Sequence, residues 1–95
     1  MILAKVTGTV VSTTKSDGIA GLRYLIVQPC DSQGKKAEEH LIGLDLVGSG
    51  DGEMVLVSQG SSARQSRETH QKAVDCVIVG IVDLIEENGQ VVFRK

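Results

Sequence analysis

Ninety-five residues suit one small domain, and a formal net charge of −2 with one tyrosine and one phenylalanine argues against a nucleic-acid binder. Such proteins carry a basic patch and, for single strands, aromatic platforms for the bases. No apolar run is long enough to span a bilayer, and no basic segment precedes a signal-like apolar core, so the composition predicts a cytosolic protein off the membrane.

Taken in order, the chain opens with an alternating pattern over residues 2–14. Ile2, Ala4, Val6, Gly8 and Val10 fall on one side and Lys5, Thr7, Thr9 and Thr13 on the other, which predicts a half-buried strand. A polar, glycine-containing loop follows over 14–21. Residues 22–28 form a second predicted strand, ended by Pro29, which has no N–H to give to a ladder. The turn residues Asp31-Ser32-Gln33-Gly34-Lys35 lead into a third strand over 38–46, expected to bury Ile42, Leu44 and Leu46 on one face.

The glycine-rich stretch Asp45-Leu46-Val47-Gly48-Ser49-Gly50-Asp51-Gly52-Glu53 is the centre of the sequence, joining the third strand to a fourth over 53–59. Gly60 stops that strand. Ser61 or Ser62 could cap a short helix reaching about residue 67, and a polar, exposed loop continues to 73. The most apolar segment, 74–85, reads as a strand buried on both faces. Asn88-Gly89 is a type I′ turn signal that returns the chain into Gln90-Val91-Val92-Phe93.

Short strands at this spacing predict an all-β fold: a small five-stranded OB-like barrel, one short helix before the last long strand, and a C-terminal hairpin. Residues 1–95 read as one domain. With so few rings, the core must be built from valine, isoleucine and leucine, and a core that small often relies on subunit contacts.

Catalytic chemistry finds little support. The run Gly48-Ser49-Gly50-Asp51-Gly52 lacks the Gly-Lys-Ser/Thr ending of a phosphate loop and leads into a strand rather than a helix. His40 and His70 have no ligand company at metal spacing. Ser61 and Ser62 depart from a nucleophile elbow, and Asp45 and Glu53 are paired acids without a cleft. Cys30 and Cys76 read as free thiols. The expectation is therefore no catalytic residue, no cofactor and no metal. Arg64 is either a solvated helix residue or a fork of donors for carbonyls or a carboxylate on a neighbouring chain. An OB-like binding module for nucleic acid or a small anion stands as the alternative function.

Several motifs together resemble a known family. They are the opening Met1-Ile2-Leu3-Ala4-Lys5-Val6-Thr7-Gly8-Thr9-Val10-Val11-Ser12-Thr13, then Gly21-Leu22-Arg23-Tyr24-Leu25-Ile26-Val27, the glycine stretch from Asp45 to Glu53, Gly60-Ser61-Ser62-Ala63-Arg64, and Val79-Gly80-Ile81-Val82-Asp83. In order and spacing they resemble the bacterial microcompartment vertex proteins of the EutN/CcmL family, over nearly the whole chain. Met54 stands where many relatives carry an aromatic, and Gln90 to Lys95 looks nearest the ethanolamine branch.

The resemblance implies a five-stranded barrel, a homo-pentamer capping the vertices of a polyhedral shell, hexameric shell proteins as partners, and a location in the bacterial cytoplasm. It implies no catalytic role, no nucleic acid and no membrane. Gly48, Ser49 and Gly50 would approach the five-fold axis, with Ser49 lining the opening, and Asp45, Glu53, Ser61, Ser62 and Arg64 would lie near subunit contacts.

Overall fold

The computed structural model describes residues 1–11, 23–59 and 76–95. Among these residues seven strands follow one another: β1 (Ile2–Val10), β2 (Arg23–Pro29), β3 (Leu41–Asp45), β4 (Met54–Gln59), β5 (Cys76–Ile81), β6 (Leu84–Glu87) and β7 (Gln90–Arg94). The first five close into a barrel in the order β1-β2-β3-β5-β4, and β6 and β7 form a separate two-stranded sheet. All barrel pairs are antiparallel except β3 with β5. The expected helix, the polar loop before β5 and the loop after β1 lie outside the described residues.

Closure depends on β1. Its N-terminal half pairs with β4, from Ile2 opposite Val57 to Lys5 opposite Met54. It also pairs with β2 from Ala4 to Val10, with a shift in register between Val6 and Gly8. One extra residue at such a shift bends a strand and tightens its twist, which lets a single strand serve two neighbours around a small barrel. Alternation then delivers Ala4, Val6, Leu25, Val27, Val55, Val57, Cys76 and Ile78 to one interior cluster. Among the described residues this cluster contains no aromatic ring, as the composition predicted.

On β3 the predicted face exists but is the outer one. Leu44 is nonetheless fully buried, as expected, in a smaller cluster with Val77, while Leu46 is half-buried and Ile42 is 53% exposed. The inner positions are Leu41, Gly43 and Asp45, because a Cβ on Gly43 would stand only 3.3 Å from Cys76 Sγ and 3.4 Å from Ile78 Cγ1. The missing side chain makes room for β5. The strand also begins at Leu41 rather than Glu38, where pairing with Val27 begins.

The long apolar segment divides in two. The Val82 N–H donates to Met54 O at 2.8 Å, the last backbone bond to the barrel among the described residues, and the chain then leaves for β6. Burial on both faces holds for Cys76, Val77 and Ile78 but not for Val79. The β6–β7 turn is as expected, with φ of 53° at Asn88 and 78° at Gly89, the double positive φ of a type I′ turn.

Candidate functional site

The turn over residues 46–53 is held by two carboxylates, one at each end. Asp45, the last residue of β3, sits on the inner side of the strand and is buried. Its Oδ1 accepts the Ser49 hydroxyl at 3.0 Å, the Ser49 N–H at 3.2 Å and the Val47 N–H at 3.3 Å. Its Oδ2 accepts Arg23 Nη2 at 2.9 Å. The same Nη2 donates to Ser49 O at 2.5 Å, so Arg23 ties the carboxylate to the turn it organises. This is an aspartate turn extended by a guanidinium.

The second carboxylate closes the far end. Glu53 Oε1 accepts the Gly50 N–H at 2.6 Å, and Oε2 lies 2.7 Å from Lys95 Nζ. The Glu53 N–H returns to Gly50 O at 3.2 Å, and the Gly52 N–H donates to Val6 O at 2.8 Å. Gly48 and Gly52 take φ of 74° and 83°, values that L side chains rarely adopt. The turn is thus built on backbone geometry and two acids.

The electrostatics follow from the same contacts. Burial alone would raise the Asp45 carboxyl; the Arg23 guanidinium, the Ser49 N–H and hydroxyl and the Val47 N–H outweigh it and hold the group below its ordinary range. The Lys95 ammonium first, and the Gly50 N–H second, lower Glu53. Glu53 in turn raises Lys95.

Of the residues singled out from the sequence, the structure brings Asp45, Gly48, Ser49, Gly50 and Glu53 into this one turn. Ser61, Ser62 and Arg64 lie outside the described residues. Ser49 is 1% exposed, with its hydroxyl turned into the subunit toward Asp45. The exposed part of the turn is Val47, Gly48, Asp51 and Gly52. Asp45 and Glu53 both find partners within their own chain. Sequence reasoning gave no role to Arg23 or Lys95. Arg23 was within reach of it: Arg23 and Asp45 stand equally far on either side of Gly34, the middle of the predicted hairpin, and they are cross-strand partners.

The two cysteines are free thiols. Cys76 is buried in the core, which pushes its thiol up to about 11. Cys30 is half-exposed beside a shallow surface pocket of about 350 Å³ lined by Pro29, Asp31, Lys35, Lys36 and Ala37.

Comparisons with known proteins agree with this architecture. Residues 1–83 match the family described as "Ethanolamine utilisation protein EutN/carboxysome". The bacterial microcompartment shell vertex protein EutN of Escherichia coli K12 is 41% identical, with all of both chains covered. The carboxysome shell vertex protein CcmL of Synechococcus elongatus is 39% identical, over all of this chain and 96% of its own. Among solved structures, the GrpN pentameric microcompartment shell protein from Rhodospirillum rubrum superposes with a TM-score of 0.82 at 42% identity, over 92% of this chain and 99% of its own. A closed aliphatic barrel, a glycine turn locked by two acids, and full-length relatives from separate branches lead to one conclusion: the chain belongs to the EutN/CcmL family.

Proposed function

We propose that this chain is a structural shell protein whose 95 residues form one vertex domain, and that five copies close a ring capping the vertices of a bacterial microcompartment. The observation that carries this reading is full-length similarity to proteins named for shell vertices, one of them solved as a pentamer. The role is architectural rather than enzymatic. Its location is the shell of a compartment in the bacterial cytoplasm, and hexameric facet proteins are its neighbours there.

The physics of the subunit supports the same reading. A barrel of this size with so few rings has a limited core, and contacts between copies add burial that one chain lacks. The glycine turn is suited to the five-fold axis, where several backbones must converge. Gly48, Ser49 and Gly50 carry little side-chain bulk there, and Ser49 would meet the opening through its backbone, since its hydroxyl is committed to Asp45. A turn stiffened by Asp45 and Glu53 would hold the shape of a narrow opening without help from the neighbouring copies.

Native mass spectrometry of the purified chain across a dilution series tests the proposal. A persistent five-subunit species is the expected result. A monomer at micromolar concentration would refute the vertex reading.

A further inference from the structure

The β6–β7 hairpin stands apart from the barrel sheet, and the family match ends at residue 83, immediately before it. It is nevertheless fixed at both ends. At its base, Lys95 Nζ lies 2.7 Å from Glu53 Oε2, and the Lys95 N–H donates to Asp83 O at 2.9 Å. Near its tip, the Ser32 hydroxyl donates to the Glu87 carboxylate. Of the cross-strand pairs, Ile85 and Phe93 are half-buried. Leu84 and Glu86 alternate onto the other face, Leu84 opposite Arg94; a shift in register between Ile85 and Glu86 puts one extra residue, Val92, on β7 and so sets Val91, rather than Val92, opposite Glu86. There Leu84 is 42% exposed and Val91 44% exposed. An isolated two-stranded hairpin is marginal in water, and one that offers leucine and valine to solvent gains by being covered.

A complementary surface lies on the outside of the barrel. Leu56 on β4 and Val79 on β5 are each 36% exposed. Leu56 pairs with Leu3 on one side and Gly80 on the other. With no side chain at Gly80, Leu56 lies flat across it, 3.4 Å from where a Cβ would stand. The result is a shallow apolar strip across β1, β4 and β5. Lys5, two residues from Leu3 on the same side of β1, borders it with a charge opposite to that of Glu86. Ile42 is more exposed, but it stands as the lone exposed aliphatic of its strand.

A closed ring repeats one contact between two different patches, so each copy must carry both halves of it. We propose that the outer face of the hairpin, Leu84 and Val91, clasps the Leu56–Val79 strip of the next copy around the ring, with Glu86 facing the neighbour's Lys5. This rests on the pentamer proposed above and names the surfaces that meet. Because the family match stops short of the hairpin, the clasp strengthens a ring that residues 1–83 also help to form. Its two tethers hold the hairpin in place before contact, which lowers the ordering cost of association.

The test uses the full chain, with Val91→Lys, Leu56→Glu and the double variant followed by native mass spectrometry through a dilution series. Each single variant should raise the subunit concentration at which the five-subunit species dissociates by at least about tenfold, roughly 1.4 kcal/mol. The double variant should recover most of that loss, because the new lysine meets the new glutamate across the contact. Far-UV circular dichroism checks that each subunit stays folded, and Val91→Ser replaces Val91→Lys should the latter misfold. Singles that dissociate at the wild-type concentration overturn the clasp, and so do losses that merely add in the double variant. If the unsubstituted chain forms no ring, the vertex reading fails first and the clasp falls with it.

Discussion

Replacing Asp45 by alanine should destabilise the subunit by about 3 kcal/mol, a figure that follows from what each of its contacts would do next. Four hydrogen bonds are lost, but they are not equivalent. The Val47 N–H lies beside an exposed residue and rehydrates. Arg23, whose side chain is 53% exposed, turns to water as well. Ser49 cannot, because it is 1% exposed, and its N–H and hydroxyl lose the acceptor they share. Two buried donors left unpaired cost about 1–3 kcal/mol each.

Asp45→Asn is the control, since it keeps an oxygen for Ser49 and sets an amide against the guanidinium. Its cost should stay near 1–2 kcal/mol. For a domain of this length each kcal/mol moves the melting temperature by about 4–8 °C, so alanine should lower Tm by roughly 12–24 °C and asparagine by about one third to two thirds as much. Thermal unfolding followed by circular dichroism reads both, at one fixed subunit concentration because any association between copies makes Tm concentration-dependent. An alanine variant within about 1 kcal/mol of wild type would refute the reasoning, and so would an asparagine variant that is equally unstable.

Further expectations concern acid, thiols and the core. The Asp45 carboxyl titrates lower in the folded chain than in the unfolded one, so its contribution is complete above about pH 4 and fades as pH falls through the folded value. Asp45→Asn should therefore show a flatter loss of Tm between about pH 5 and 2, and parallel curves would assign the acid sensitivity elsewhere. Under native conditions a disulfide-exchange reagent should label Cys30 well before Cys76, whose thiol is buried and pushed up to about 11; equal rates would show that the barrel opens readily. Gly43→Ala should cost about 1 kcal/mol and Gly43→Val about 2–3 kcal/mol, because the added carbons press on Cys76 and Ile78; chemical denaturation would detect either, and a neutral valine would mean β5 has slack.

The strand pattern was legible because alternation is a local property. β1, β2 and β4 lie within a few residues of their predicted bounds, and the Asn88-Gly89 turn needed nothing beyond its two residues. Direction was harder. Ile42, Leu44 and Leu46 do share a face of β3, yet only the barrel decides that this face is the outside and that Gly43 is wanted within. The division of residues 74–85 was hidden because apolar residues run straight through it, while the chain leaves the barrel where bonding to Met54 ends. At the turn, the glycines and acids drew attention by composition. Arg23 did not, because its role comes from register, and Lys95 required the return of the hairpin.

The shared pairing of β1 has a consequence for how copies of this protein can err. Because β1 bonds to β4 along its N-terminal half and to β2 from Ala4 onward, the barrel closes and leaves only short stretches of open N–H and C=O groups among the described residues for a stranger to join. Among the described residues, the hairpin is the sheet with two open edges, and the gaps in the barrel are short, such as Leu41 to Gly43, which β5 does not reach. Copies that collide in the wrong orientation therefore meet through side chains, and such contacts come apart on their own. In the proposed shell role a copy has to find one location in a lattice, and that needs reversibility, since a mistaken join has to be undone before a correct one can form.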